Sequence, residues 1–159
     1  MASAFGQITV VAVGKVRAAY WAAAQDEYVK RLGRYTSFRL IEVRDMVGRG
    51  VVDAVAVERE GEELLRVAER SPVRVLLSAD GRAHTSEGLA AWLQKQMEGS
   101  GHVAFLIGGP LGFSEPVRAA VPDRLSLSPM TFPHELARVM LLEQLFRAFT
   151  ILRGEPYHK

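Results

Sequence analysis

The chain has 159 residues, 48% of them hydrophobic, with a formal net charge of +2 and an isoelectric point near 9.1. That length suits one domain with a real core, the apolar share argues against disorder, and the near-balanced charge excludes a histone-like polycation. Cysteine is absent, which excludes disulfides, cysteine-ligated metals and thiol catalysis.

No apolar run is long enough to cross a bilayer, and Met1 to Gly6 lacks the basic-then-apolar pattern of a secretory signal. A cytoplasmic protein without membrane attachment is expected. Of the 20 basic residues 16 are Arg, the cation suited to bidentate contact with phosphate and to stacking on bases; genome composition would give the same bias.

In chain order, Ile8-Thr9-Val10-Val11-Ala12-Val13 is a continuous apolar, β-branched run that predicts a strand buried on both faces. Ala18 to Tyr35 predicts a helix, with Tyr20, Trp21, Ala24, Tyr28 and Leu32 on neighbouring turns, and Ser37 to Arg44 a second strand. Asp45 to Gly50 is a loop with two glycines. Val55 to Arg70 predicts a charged helix with Gly61 as a weak point. Val73 to Leu77 is a third strand, Ser86 to Glu98 a helix, and His102 to Ile107 a fourth strand. A glycine-rich loop over Gly108 to Phe113, a short helix from Ser114 to Ala120, a fifth strand over Arg124 to Leu127 and a long helix from Pro133 to about Arg153 complete the chain. Such alternation predicts a single-domain α/β fold, a mostly parallel sheet flanked by helices. Ligands of such sheets sit outside the carboxyl ends of the strands, which selects the loops Ser78 to Thr85, Gly108 to Phe113 and Ser128 to Phe132.

Gly108-Gly109-Pro110-Leu111-Gly112 allows a sharp turn and close ligand approach to the main chain, or serves only as a tight strand-to-helix turn. It lacks the Lys-Ser/Thr of a phosphate loop and the dinucleotide spacing. Pro129 and Pro133 bracket a rigid, non-helical stretch, with Thr131 a candidate helix cap and Glu135 suited to the positive helix end. On the last helix Leu142, Leu145, Phe146, Phe149 and Leu152 cover one half, and Leu136, Val139, Met140 and Ile151 spread over the other. A helix apolar all round needs two covers, for instance its own sheet and a second subunit. Glu143 and Arg147, four apart, are placed to pair, and His134 shares a face with Arg138. Gly154 stops the helix, and Pro156 stiffens a tail ending Tyr157-His158-Lys159 that looks built to enter a site. His84 and His102 are read as surface residues.

Taken together, Val13-Gly14-Lys15 with Tyr20-Trp21, Gly108-Gly109-x-x-Gly112, Leu125 to Ser128 followed by Met130 to His134, Glu143-Gln144-x-x-Arg147-Ala148 and Pro156 to Lys159 closely resemble the bacterial RlmH family. These are large-subunit ribosomal RNA pseudouridine-N3 methyltransferases of the SPOUT class. The resemblance covers the chain from Ile8, making residues 8–159 the methyltransferase domain, with Met1 to Gln7 an N-terminal extension and 154–159 a tail contributing to the site. It implies a homodimer with a C-terminal trefoil knot, binding S-adenosylmethionine and acting on 23S rRNA in the ribosome without a metal. By position it implies that Leu76, Gly108, Gly109, Leu127, Ser128, Pro129, Met130, Thr131 and Phe132 hold the methyl donor. His134, Arg138, Arg147, Tyr157 and His158 are then expected to face the RNA.

On this reading Arg147 or Arg138 stabilises the anion developing on a uracil-like ring, His134 or His158 takes its proton, and Tyr157 stacks on an unstacked base. Two alternatives stand beside it. One is a ribosome-associated RNA-binding module without methyl transfer; the other is an unrelated α/β nucleotide-binding protein, against which the missing phosphate-loop and dinucleotide signatures count.

Overall fold

The computed structural model describes residues 5–159. Most of the extension expected over Met1 to Gln7 lies outside the described residues, but Gln7 opens the first strand and the Phe5 ring packs on Phe149 at 5.3 Å between centroids.

In chain order the elements are β1 (Gln7–Val13), α1 (Ala19–Leu32), β2 (Ser37–Val43), α2 (Asp53–Val67), β3 (Val73–Ala83), α3 (Ser86–Gly99), β4 (His102–Ile107), α4 (Glu115–Ala120), β5 (Arg124–Ser126) and α5 (His134–Leu152). The strands form one sheet in the order β2-β1-β4-β3-β5, every neighbouring pair parallel. Continuous apolar strands follow from cover on both faces. Ile8, Val10 and Ala12 of β1, with Val103, Phe105 and Ile107 of β4, enter a core shared with α1, α3 and α5. Val11 and Val13, with Ala104 and Leu106, enter a second core under α2 and α4. The α/β class read from the alternation is the observed one.

Three local expectations change. The third strand does not stop at Leu77: after a register shift between Leu77 and Arg82 it pairs with β5 again through Ala83, so most of the expected loop from Ser78 to Thr85 belongs to the sheet. Thr131 does not cap α5; Pro133 occupies that position without a side-chain bond. Gly61 is no weak point, since a Cβ there would stand 2.7 Å from both Ser114 Oγ and Val117 Cγ2, so the missing side chain lets α2 lie close to α4.

Helix α5 lies between α1 and α3 on one face of the sheet, and Leu141, Leu142, Leu145 and Phe149 are fully buried on it. Each contributes about 1.5–3 kcal/mol by burial, which makes this helix the mainstay of that core. Its first turns are fastened to the carboxyl end of β1 by polar contacts. The Arg138 side chain is 1% exposed and donates from Nη1 to Glu42 Oε2 (2.6 Å) and Gln25 Oε1 (3.2 Å), and from Nη2 to the carbonyls of Gly14 (2.9 Å) and Val13 (3.2 Å). Only its Nε is buried without a partner. One helical turn earlier, the Glu135 carboxylate accepts the main-chain N–H groups of Arg17 (2.6 Å) and Ala18 (3.4 Å). It thereby serves the start of α1, which has no capping side chain of its own.

Arg138→Met keeps the volume and removes these donors, leaving Glu42 and two carbonyls to find water. Losing one partner of a buried pair costs about 3–5 kcal/mol, and the low end applies because Glu42 reaches solvent. A fall of about 3 kcal/mol in unfolding free energy is expected by urea titration; an unchanged midpoint would contradict the fastening role.

Candidate active site

The glycine loop and the proline-bracketed segment converge on one cavity of about 390 Å³ over the carboxyl ends of β4 and β5 and the register break of β3 after Leu77. From β3 it is lined by Leu77, Ser78 and Ala79; from the β4 loop by Gly108, Gly109, Pro110, Gly112 and Phe113; from the β5 loop by Leu127, Ser128, Met130, Thr131, Phe132, Pro133 and His134. The size is that of a small-molecule site, and the walls are mostly apolar.

The loop after β4 closes on itself, Gly112 donating to the Gly109 carbonyl at 3.0 Å. Gly112 has φ +78, a conformation that a side chain would strain. At Gly108 a Cβ would stand 3.1 Å from the Gly112 carbonyl oxygen and 3.3 Å from the Phe113 ring, so the hollow there exists because the side chain is absent. Beneath the loop, Glu60 is buried, accepts the Met46 N–H at 2.8 Å and leaves Oε1 without a hydrogen bond beside Gly109. The far wall is set by hydroxyls: the single Ser126 hydroxyl proton is shared between the carbonyls of Ala79 (3.1 Å) and Ser128 (3.0 Å), and Ser128 Oγ accepts the Met130 N–H at 3.0 Å. Among the described residues the N–H groups of Thr131 and Phe132 have no partner within the chain.

Of the expected donor-binding residues, Gly108, Gly109, Leu127, Ser128, Met130, Thr131 and Phe132 line this cavity; Leu76 and Pro129 do not. Leu76 is fully buried in the core beneath α2 and α4, and the alternation of the strand gives the cavity to Leu77 instead. Arg118, absent from the expected set, reaches the rim and pairs with Asp80 at 3.3 Å. Only its position in the short helix after the glycine loop could have marked it.

The residues expected to face RNA fall into three places. His134 lines the cavity. Arg138 is enclosed by Gln25, Glu42 and the β1 carbonyls, so the expectation that it meets RNA is corrected. Arg147, Tyr157 and His158 form a separate cluster. Arg147 donates to Glu143 Oε1 from Nε (3.0 Å) and Nη2 (2.7 Å), the expected pair, and its guanidinium lies 4.8 Å from the Tyr157 ring centre. The Tyr157 hydroxyl donates to the same carboxylate oxygen at 3.0 Å, and its ring meets Phe146 edge-on at 4.7 Å. His158 Nδ1 accepts from Arg147 at 3.2 Å, which leaves its Nε2–H to donate to Glu87 at 2.8 Å. Tyr35 donates to Glu155 at 2.6 Å and holds the start of the tail. The tail thus folds back on its own α5. Arg147 follows His134 by thirteen positions, about 20 Å along the helix at its usual rise.

His84 and His102 are not plain surface residues. His102 is half-buried and shares Nε2 with the hydroxyls of Thr9 (3.1 Å) and Ser71 (3.2 Å); His84 packs beside Trp92. Burial lowers the pKa of both imidazoles. Among the described residues no His, Asp and Glu group is placed to hold a metal ion, and no helix is long and apolar enough to cross a membrane.

A family model described as "Predicted SPOUT methyltransferase" matches residues 7–158. A protein of Ruminiclostridium cellulolyticum named ribosomal RNA large subunit methyltransferase H is 40% identical over 158 residues, covering 96% of this chain and 99% of that one. A protein of the same name from Porphyromonas gingivalis is 42% identical over 154 residues, covering 96% and 98%. Among solved structures, a probable methylase family protein from Haemophilus influenzae matches with a TM-score of 0.57 at 14% identity, over 96% of this chain and 70% of that one. One from Neisseria gonorrhoeae matches with a TM-score of 0.54 at 14% identity, over 89% and 82%. At that identity the structures share the fold.

The tail cluster has a titration signature. Burial against Phe146 first, and donation to Glu143 second, push the Tyr157 phenol up to about 12. A pKa raised on folding gives stability that is complete below the unfolded value of about 10 and is lost as pH rises towards the folded one. Absorbance titration of the phenolates is expected to show a late-ionising tyrosine that disappears in Tyr157→Phe. Loss of an early-ionising phenol instead would show that the tail is free.

Proposed function

The chain belongs to the SPOUT methyltransferase family, and from that premise we propose that it transfers a methyl group from S-adenosylmethionine to N3 of a pseudouridine in 23S rRNA, acting in the cytoplasm on the assembled ribosome as a homodimer. The observation that carries this reading is the convergence of the 108–112 loop and the 127–134 segment on one apolar cavity. The proposal includes the knotted path that the family resemblance implies for the C-terminal region. Transfer is favoured over the binding-only alternative because the relatives that match nearly the whole chain are named methyltransferases.

The cavity fits a nucleoside-bearing donor. Leu77, Ile107 and Leu127 offer faces for a purine, the free N–H groups of Thr131 and Phe132 suit its polar edge, and the hollow at Gly108 admits close approach to the main chain. When bound, S-adenosylmethionine supplies an electrophilic methyl group on a sulfonium.

The acceptor N–H is weakly acidic, so the protein must take its proton and hold the charge that develops on the ring. Arg147 suits the second role, because its bond to Glu143 raises its pKa further and secures the cation. Arg138, already enclosed, does not. For the proton, His134 stands at the cavity, whereas both nitrogens of His158 are engaged by Arg147 and Glu87. We therefore assign proton removal to His134 and charge stabilisation to Arg147, with Tyr157 and His158 positioning Arg147. The two assignments lie about 20 Å apart along α5, so one chain does not combine them. Two copies packed through the half-buried Leu136, Met140 and Ile151 of α5 would bring the tail cluster of one towards the cavity of the other.

Calorimetric titration with S-adenosylhomocysteine is expected to show saturable binding that is lost in Gly108→Val. Deleting Tyr157 to Lys159 is expected to keep that binding but abolish methylation of ribosomes. Mixing the two variants should restore activity neither has alone. No binding by folded wild-type dimer would leave the binding-only module ahead; activity unchanged by the deletion would remove the tail from the site.

A further inference from the structure

The loops that leave the carboxyl ends of β1 and β2 play no part in the cavity, yet they are fastened to the helix that bears His134. The two strands are neighbours, and Gly14 N–H donates to the Val43 carbonyl at 2.7 Å, so the loops lie side by side. Around them stand four cations, Lys15, Arg17, Arg44 and Arg49, and the carboxylates of Glu42, Asp45, Glu60 and Glu135. Arg17 and Arg49 share Asp45 at 3.2 and 2.9 Å while their side chains stay 74% and 41% exposed. Lys15 and Arg44 are exposed and have no carboxylate partner among the described residues. The other acids close by are held inward, Glu42 by Arg138, Glu135 by the N–H groups of Arg17 and Ala18, and the buried Glu60 by the Met46 N–H. With Arg138 counted, five cations stand against four carboxylates, and the excess falls on the exposed Lys15 and Arg44.

Beside these cations, in the first turn of α1, Tyr20 is 71% exposed and steadied edge-on by Trp21 at 5.2 Å between ring centres. A large aromatic ring in water, buttressed by a second ring and close in the chain to Lys15 and Arg17, costs apolar exposure that folding alone does not require.

We propose that Lys15, Arg17, Arg44 and Arg49 with Tyr20 form a docking rim for single-stranded or looped RNA beside the cavity, the cations meeting phosphates and Tyr20 stacking on an unpaired base. The proposal rests on the methyltransferase reading and adds where the substrate lies. RNA is favoured over an acidic protein because an exposed stacking platform among Arg side chains answers both halves of a nucleotide, base and phosphate. The rim also keeps a fixed distance from the reacting end of α5. Arg17 is bound to Glu135, the residue after His134, and Arg138 holds the Gly14 carbonyl. RNA caught there is registered against the cavity, whereas a patch on a loose loop would give affinity without register.

The test uses the full-length protein and purified assembled ribosomes lacking the modification, with co-sedimentation and methyl transfer both measured as salt is varied. The variants are Lys15→Ala with Arg44→Ala, chosen because neither side chain has an ion pair, Tyr20→Ala, and Tyr20→Phe as the stacking-competent control. S-adenosylhomocysteine affinity is expected to stay at the wild-type value in all three. The double variant is expected to raise KM for the ribosomes on the order of tenfold and to reduce the steepness of the log affinity against log salt plot by about 2, one for each phosphate left without its cation. Tyr20→Ala is expected to raise KM about tenfold with little change in salt slope, and Tyr20→Phe to restore it. Wild-type KM, salt slope and co-sedimentation in the double variant and Tyr20→Ala would overturn the rim while leaving the methyltransferase reading intact. Wild-type protein that neither binds S-adenosylhomocysteine nor transfers methyl would overturn that reading, and the co-sedimentation series would still decide the rim.

Discussion

A buried guanidinium organises this molecule. Arg138 is almost fully enclosed on α5, and four of its five donors are spent on the end of β1, on Glu42 of β2 and on Gln25 of α1. Hydrophobic burial places α5 on the sheet but is indifferent to small slides along it, because neighbouring leucines are nearly interchangeable. The guanidinium is not indifferent: its hydrogen bonds have direction and fail when the helix shifts. A buried ion pair often adds little net stability over two well-packed apolar side chains, although loss of one partner alone is costly, and its effect falls on which arrangement is adopted. Here that arrangement sets where His134 meets the cavity and where the β1 and β2 loops stand beside it.

The same helix carries two candidate functional clusters at opposite ends. At its start the 108–112 and 127–134 segments build a pocket of main-chain groups and apolar walls. At its end Glu143 gathers Arg147 and Tyr157, and the tail is pinned by Tyr35, Phe146 and Glu87. Neither cluster completes the chemistry assigned to it alone. Arg147, Tyr157 and His158 do not line the pocket, and the hollow beside the tail, bordered by Arg31, Tyr35, Glu155 and Tyr157, shares no residue with the 108–112 and 127–134 segments. A rigid helix fixes their separation, so a second copy is the economical way to unite them.

Much of this architecture is legible in the sequence, and what is not has physical reasons. Long apolar runs such as Ile8 to Val13 announce strands because burial on both faces leaves no room for polar residues, and the convergence of two loops on one cavity follows from strand order. Single-residue facing is another matter. Leu76 and Leu77 are chemically alike, and only the pleat decides that the second borders the cavity. Arg138 and Arg147 sit on one helix with similar neighbours, and sequence does not say which finds buried acceptors from β1 and β2. Gly61 looks like a defect in the sequence because its neighbours in space, Ser114 with Val117, lie more than fifty residues away. Glu135 reads as a helix-dipole residue, whereas its carboxylate serves the start of a different helix.

Net charge hides the distribution that matters most for a nucleic-acid enzyme. Many of the cations are held in pairs: Arg31 with Glu27, Arg66 with Glu63, Arg118 and Arg124 with Asp80, Arg147 with Glu143. Such pairs add little at long range, because each sign cancels the other within a Debye length. At the carboxyl ends of β1 and β2, Arg17 and Arg49 share the single carboxylate of Asp45, and Lys15 and Arg44 have no such partner among the described residues, a small group of cations, enough for a few phosphate contacts and too few for tight binding to arbitrary RNA. Affinity of that order leaves discrimination to shape and to the register that Glu135 and Arg138 impose. A folded ribonucleoprotein surface supplies shape where a free strand does not. A modest, rigidly mounted cationic rim is therefore the arrangement that the proposed action on one nucleotide of a structured particle requires.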